Sequence, residues 1–122
     1  MTLSKENILQ TKSYAFAVKI VKLTLKIQKE EKEYILTKQL LRSGTSIGAN
    51  VEESIGGRSE KDLYHRLVIS YKEARESHYW VRLLNEANLI DFDTKEELIN
   101  DLEELLRILG ASKRTLKNKL DK

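Results

Sequence analysis

From Asn7 to Glu30 the apolar residues recur at helical spacing, but on two faces rather than one. At about 100° per residue, Tyr14, Val18, Val21 and Leu25 fall together, while Phe16, Ile20, Leu23 and Ile27 fall nearly opposite. Ala17 and Thr24 lie between the two faces, and Lys12, Lys19, Lys22, Lys26 and Lys29 fill the remaining arc. The apolar arc is roughly 200° wide, where a helix burying one face needs only somewhat more than about 100°. The excess predicts burial on a second side. In a chain this short that side is expected to meet another subunit, with Phe16, Ile20, Leu23 and Ile27 as the contact residues.

Three further helical patterns follow. Over 37–55, Leu40, Gly44, Ile47, Val51 and Ile55 form a spaced stripe, with Thr37 as the expected N-cap. Gly44 and Gly48 each cost about 1 kcal/mol relative to alanine in mid-helix, and the GxxxG spacing suggests that close helix approach offsets the cost. Gly56-Gly57 ends this segment, and Ser59 with Asp62 reads as a capping-box variant opening a helix over 60–88. There Leu63, Leu67, Ser70, Ala74, Ser77, Val81 and Leu84 share one face, whose small residues are expected to pack against Gly44 and Gly48. Ile69, Trp80 and Leu83 sit off that face. They suit a subunit interface, although Trp80 equally suits the edge of its own bundle. Thr94 and Glu97 read as a capping box for a helix over 94–118, with Leu98, Leu102, Leu105, Leu109 and Leu116 as its stripe and Ile99 and Leu106 widening it. Four helices with short connections in residues 1–122 predict one all-α domain, an antiparallel up-down-up-down four-helix bundle.

Composition supports an almost wholly helical chain. Proline is absent from the 122 residues, where usage of about 5% predicts roughly six, and proline breaks helix interiors. The absence of cysteine excludes disulfides, thiolate metal sites and cysteine catalysis. No 18-residue apolar stretch or N-terminal apolar run is legible, so the expected compartment is the cytoplasm, with no membrane partner. The net charge of +3 is unevenly spread. Residues 1–38 carry eight lysines against four acids, residues 39–112 nine bases against fourteen acids, and residues 113–122 five bases against Asp121.

Two stretches, LLRSGTSIGANVEE at Leu40–Glu53 and YKEARESHYWVRLL at Tyr71–Leu84, together with YAFAVKIV at Tyr14–Val21, resemble the 23S rRNA intervening-sequence proteins. The resemblance covers nearly the whole chain. It implies a left-handed four-helix bundle assembling as a homopentamer, without enzymatic activity. A related group, the accessory variability determinant of diversity-generating retroelements, is similar in fold and is understood to bind nucleic acid and to partner a reverse transcriptase. Function does not transfer with fold.

No catalytic or cofactor constellation is legible. Di-iron bundles need two Glu-x-x-His pairs and two further glutamates. Asp62-x-x-His65 has the spacing, but Arg75 precedes His78 where the acid should stand. His65 is expected in solvent and His78 beside the core. GTSIG and IGGRS lack the phosphate-loop pattern, and no GxSxG elbow is present. The expectation is a non-enzyme with no metal and no cofactor. Two partner readings stay open beside self-association. In one, RNA or other nucleic acid binds by its phosphates to Lys12, Lys19, Lys22, Lys26 and Lys29 with Arg114, Lys117 and Lys119 of the tail. In the other, the partner is a protein and the lysine stripe is the solvated face of a helix.

Overall fold

The structure, a computed structural model, describes residues 5–122, with side chains from Ile8 onward. Four helices account for most of it: α1 Lys5–Glu31, α2 Leu36–Ile55, α3 Glu60–Glu86 and α4 Phe92–Leu120. Among the described residues α1 packs on α2 and α4, and α3 packs on α2 and α4, with no close backbone approach across either diagonal. This is a square four-helix bundle.

Side-chain pairs fix the direction of every neighbour. On α1 and α2, Gln10 donates to Glu52 and Gln28 to Thr37. On α2 and α3, Arg66 donates to Asn50, Ser70 to the Ile47 carbonyl and Ser77 to Ser43. On α1 and α4, Lys12 pairs with Glu104 and Lys19 with Asp101. In each set the numbers rise on one helix and fall on the other, so every neighbouring pair is antiparallel. The short connections leave no other geometry open.

The core is built from the stripes that the periodicity marks out. Leu40, Ile47, Val51, Leu67, Ala74, Val81, Leu84, Leu98, Ile99, Leu102, Leu105, Leu109 and Leu116 are all buried. The first helix departs from expectation. Phe16, Ile20 and Ile27 are 1%, 0% and 4% exposed and belong to this same core, with Leu23 packed partly buried against it. They therefore do not face a partner subunit. The side left outside is the other one: Tyr14 is 67% exposed and Leu25 54%, with Val21 also open. Periodicity found two apolar faces, but it could not say which one turned inward.

The two mid-helix glycines of α2 face α1. A Cβ on Gly44 would stand 3.0 Å from both Cγ1 and Cγ2 of Ile20, and one on Gly48 would stand 3.3 Å from the Ser13 carbonyl oxygen. The small residues of α3 meet a different part of α2, through Ser43 and the Ile47 carbonyl, and not the glycines as the sequence suggested. The buried hydroxyls at this seam are satisfied across it, which keeps their burial from costing the penalty of an unpaired polar group.

Two of the three expected caps differ. Thr37 is buried inside α2, and Glu33 caps the helix instead, its carboxylate accepting from the Leu36 and Thr37 amides. Thr37 Oγ1 donates to the Glu33 carbonyl at 2.8 Å and accepts from Gln28 at 3.1 Å, tying the turn together. Helix α4 starts two residues early because Asp91 accepts from the Thr94 amide at 2.8 Å. Ser59 caps α3 through the Asp62 amide as expected. Lys32 and Asn88 adopt positive φ at the ends of α1 and α3, a conformation asparagine tolerates and lysine does not favour.

Candidate functional site

The five lysines expected on α1 are not equivalent. Lys12 lies 3.1 Å from Glu104, and Lys19 lies 2.7 Å from Asp101 and 3.4 Å from Glu97. The hydrogen bond to Asp101 raises the Lys19 pKa above 10.5. These two lysines bridge the α1–α4 seam, the thinnest in the bundle. Lys22, Lys26 and Lys29 are exposed and take part in no ion pair among the described residues.

The basic tail is not a tail. Helix α4 runs to Leu120, and Leu116 is buried between its charged neighbours. Lys119 pairs with Glu60 at 3.1 Å, while Arg114 and Lys117 stay exposed. The α1–α4 ion pairs also set the register. Arg114 falls opposite the start of α1, roughly 25–30 Å along the bundle from Lys22 at about 1.5 Å per residue. The acidic side chains of Glu97, Asp101 and Glu104 stand between. The structure therefore does not bring the α1 lysines and the α4 bases into one patch.

Ile69 and Leu83 are half-buried, and Trp80 packs against the core. The indole N–H of Trp80 donates to Glu76 at 2.9 Å, and the Glu76 carboxylate also pairs with Arg42, whose other nitrogen reaches Glu73 at 3.0 Å. This cluster closes the α2–α3 seam. It occupies Glu73 and Glu76, and Lys72 pairs with neither.

Sequence reasoning missed the α3–α4 seam. Two adjoining depressions run along it. One, of about 500 Å³, is lined by Tyr71, Glu103, Leu106, Arg107, Gly110 and Arg114. The other, of about 580 Å³, is lined by Arg75, Glu76, His78, Tyr79, Arg82, Glu103 and Leu106. His78 Nδ1 accepts from Arg82 Nε at 3.1 Å, and burial together with the Arg82 charge lowers its pKa below 6.5. Lys113 sits 4.0 Å from the centre of the Tyr71 ring. The signal was present as heptad-spaced arginines on two helices, with Arg75, Arg82 and Arg107 hidden because residues 39–112 are acidic in sum. Among the described residues no three His, Asp or Glu side chains converge on a metal-sized site.

Residues 5–111 match the family described as 23S rRNA-intervening sequence protein. The chain belongs to that family. A solved structure of a protein of unknown function from the S23 ribosomal protein family of Bacteroides thetaiotaomicron VPI-5482 is similar in fold, with a TM-score of 0.88 and 40% identity over 91% of this chain and 99% of that one. No curated protein matches the chain. The match to this family confirms the resemblance carried by Leu40–Glu53 and Tyr71–Leu84 and the all-helical fold it implied. Among the described residues no helix is long and apolar enough to cross a membrane.

Proposed function

We propose that the protein is a non-enzymatic, homo-oligomeric helical bundle of the cytoplasm that binds structured nucleic acid through its phosphates. One observation carries the reading. Glu60, Glu73, Glu76, Glu97, Asp101 and Glu104 pair with cations across the seams between helices, while Lys22, Lys26, Lys29, Arg75, Arg82, Arg107, Arg114 and Lys117 remain exposed and outside the ion pairs of the described residues. Phosphate contacts need free cations of this kind, and assembly multiplies weak contacts through effective concentration. The family's description as 23S rRNA-intervening sequence proteins makes an rRNA-like hairpin the first probe.

Self-association is part of the proposal, with five subunits as the resemblance implies. It is supported by the exposed strip of Tyr14, Val21 and Leu25, extended at the α1–α2 turn by Tyr34 and Ile35. That same strip favours a second reading, a protein-interaction scaffold that does not touch nucleic acid.

The test is fluorescence anisotropy on a labelled rRNA-like hairpin across a salt series. The expected result is an affinity whose logarithm falls steeply and linearly with log salt. Absence of binding at low salt would remove nucleic acid from the account and leave the scaffold. Deleting residues 113–122 is not a usable variant, because Leu116 belongs to the core, so charge substitutions must replace truncation.

A further inference from the structure

We propose that the seam between α3 and α4 is a groove for a single-stranded segment of nucleic acid, held by Arg75, Arg82, Arg107 and Arg114 with Tyr79 as a stacking ring and Tyr71 as the floor. The inference rests on the nucleic-acid reading above and moves the main site away from α1.

The register comes from Tyr71. Its ring lies 3.6 Å from where a Cβ on Gly110 would stand and carries Lys113 over one face. With α3 and α4 antiparallel, Arg75 and Arg107 face each other at mid-groove, Arg114 stands at one end and Arg82 at the other. Arg75 and Arg82 are seven residues apart, as are Arg107 and Arg114, which is two helical turns or about 10.5 Å. The guanidinium stations therefore span roughly 22 Å, enough for about six nucleotides at the stacked rise of about 3.4 Å. All four arginines are exposed. Guanidinium presents a planar fork of donors that suits phosphate oxygens better than the ammonium stripe of α1 does.

The acids in the groove do not cancel this charge. Glu103 lines both depressions. Glu76 lines one, but Arg42 and the Trp80 indole already occupy its carboxylate. Tyr79 is 49% exposed. Its ring stands roughly perpendicular to that of Trp80 at a centroid separation of 5.0 Å, and the Arg82 guanidinium lies 5.9 Å from its centre. Its open face can take a base, and aromatic rings interleaved with cations are the arrangement that binds single strands with little sequence preference. The width selects against a duplex. Helices in contact lie about 8–10 Å apart, and the trough between them admits one strand. A loop or an end of a structured RNA supplies such a strand.

The experiment uses the full chain with three labelled probes: a mixed 12-nucleotide single-stranded RNA, its DNA counterpart and the corresponding RNA duplex. The variants are R75Q/R107Q, Y79A and K22Q/K26Q/K29Q. Their folding is checked by thermal melts, and exposed positions such as these should leave the melts unchanged. R75Q/R107Q is expected to weaken single-strand binding at least tenfold and to reduce the log–log salt slope by about 1.4, the value for two lost phosphate contacts on a single strand. Y79A is expected to weaken it by roughly 5- to 150-fold with the slope unchanged, as loss of one base stack requires. The lysine variant should weaken single-strand binding less than R75Q/R107Q does. Single-strand affinity unaffected by R75Q/R107Q, or lost mainly in the lysine variant, overturns this inference and leaves the nucleic-acid reading standing. Binding by the parent to none of the probes at low salt overturns both. A polyglutamate peptide that displaces the strand with full potency from a Y79A-insensitive site overturns the single-strand assignment in favour of an acidic protein segment.

Discussion

Replacing Gly44 with alanine tests the packing of α1 on α2 directly. Two effects oppose each other. Alanine is the better helix former by about 1 kcal/mol. Against that, the new methyl would lie 3.0 Å from both Ile20 Cγ1 and Cγ2. Ile20 is fully buried and, being β-branched, has essentially one rotamer in a helix, so it cannot swing aside. Overpacking of this kind costs about 1–3 kcal/mol. Gly110 supplies the control, since a Cβ there would make an ordinary 3.6 Å contact with Tyr71. Gly110→Ala should therefore stabilise by about 1 kcal/mol, a rise of roughly 4 °C in Tm for a domain this size. Gly44→Ala should fall below it by about 1–3 kcal/mol, the clash alone. Urea denaturation at fixed protomer concentration reads both variants, because association shifts apparent stability by mass action. Ile20→Ala adds a check. Alone it should cost about 2–5 kcal/mol, but combined with Gly44→Ala it should cost less than the sum, because it removes both Cγ1 and Cγ2 that the new methyl would meet. If Gly44→Ala stabilises as much as Gly110→Ala, the close approach of α1 and α2 is wrong.

Other outcomes follow from the same geometry. Ser77→Ala removes the buried hydroxyl bond to Ser43, 2.9 Å long, and should cost about 1 kcal/mol, with the double variant Ser43→Ala/Ser77→Ala costing less than twice that in the same denaturation assay. The raised pKa of Lys19 means that its contribution is full below about pH 10.5 and is lost as pH rises through the higher folded value; Lys19→Met should abolish that alkaline loss, which at an exposed site amounts to at most about 1 kcal/mol. Asp91, whose carboxyl is lowered below 3.8 by its hydrogen bond to Thr94, contributes above that pH and loses its contribution as pH falls through the folded value; Asp91→Asn, which keeps an acceptor, should flatten the acid limb of a Tm-against-pH profile. On the proposed self-association, the parent sediments as an assembly and Val21→Asp with Leu25→Asp should reduce it to monomers without lowering helicity; an assembly unchanged in the variant would exclude the outer α1 strip as the contact.

Helix number, helix type and the inward stripes of α2, α3 and α4 were legible from periodicity, because one clear apolar face has only one place to go. The absence of proline and the small residues at Gly44 and Gly48 likewise announced a helical bundle with at least one close seam. What periodicity could not decide was a choice between equals. Both faces of α1 are apolar, and only the neighbours on α2 and α4 determine that Phe16, Ile20 and Ile27 are the ones buried. The caps of α2 and α4 were missed for a related reason: several short polar side chains lie near each start, and the turn geometry selects Glu33 and Asp91. The basic site was the least legible. Charge along a sequence says how many cations exist, but whether each is free depends on which acid the fold sets beside it. Lys12 and Lys19 are spent against α4, whereas Arg75, Arg82 and Arg107, scattered through an acidic stretch, are brought to one seam with Arg114 by the antiparallel packing of two helices.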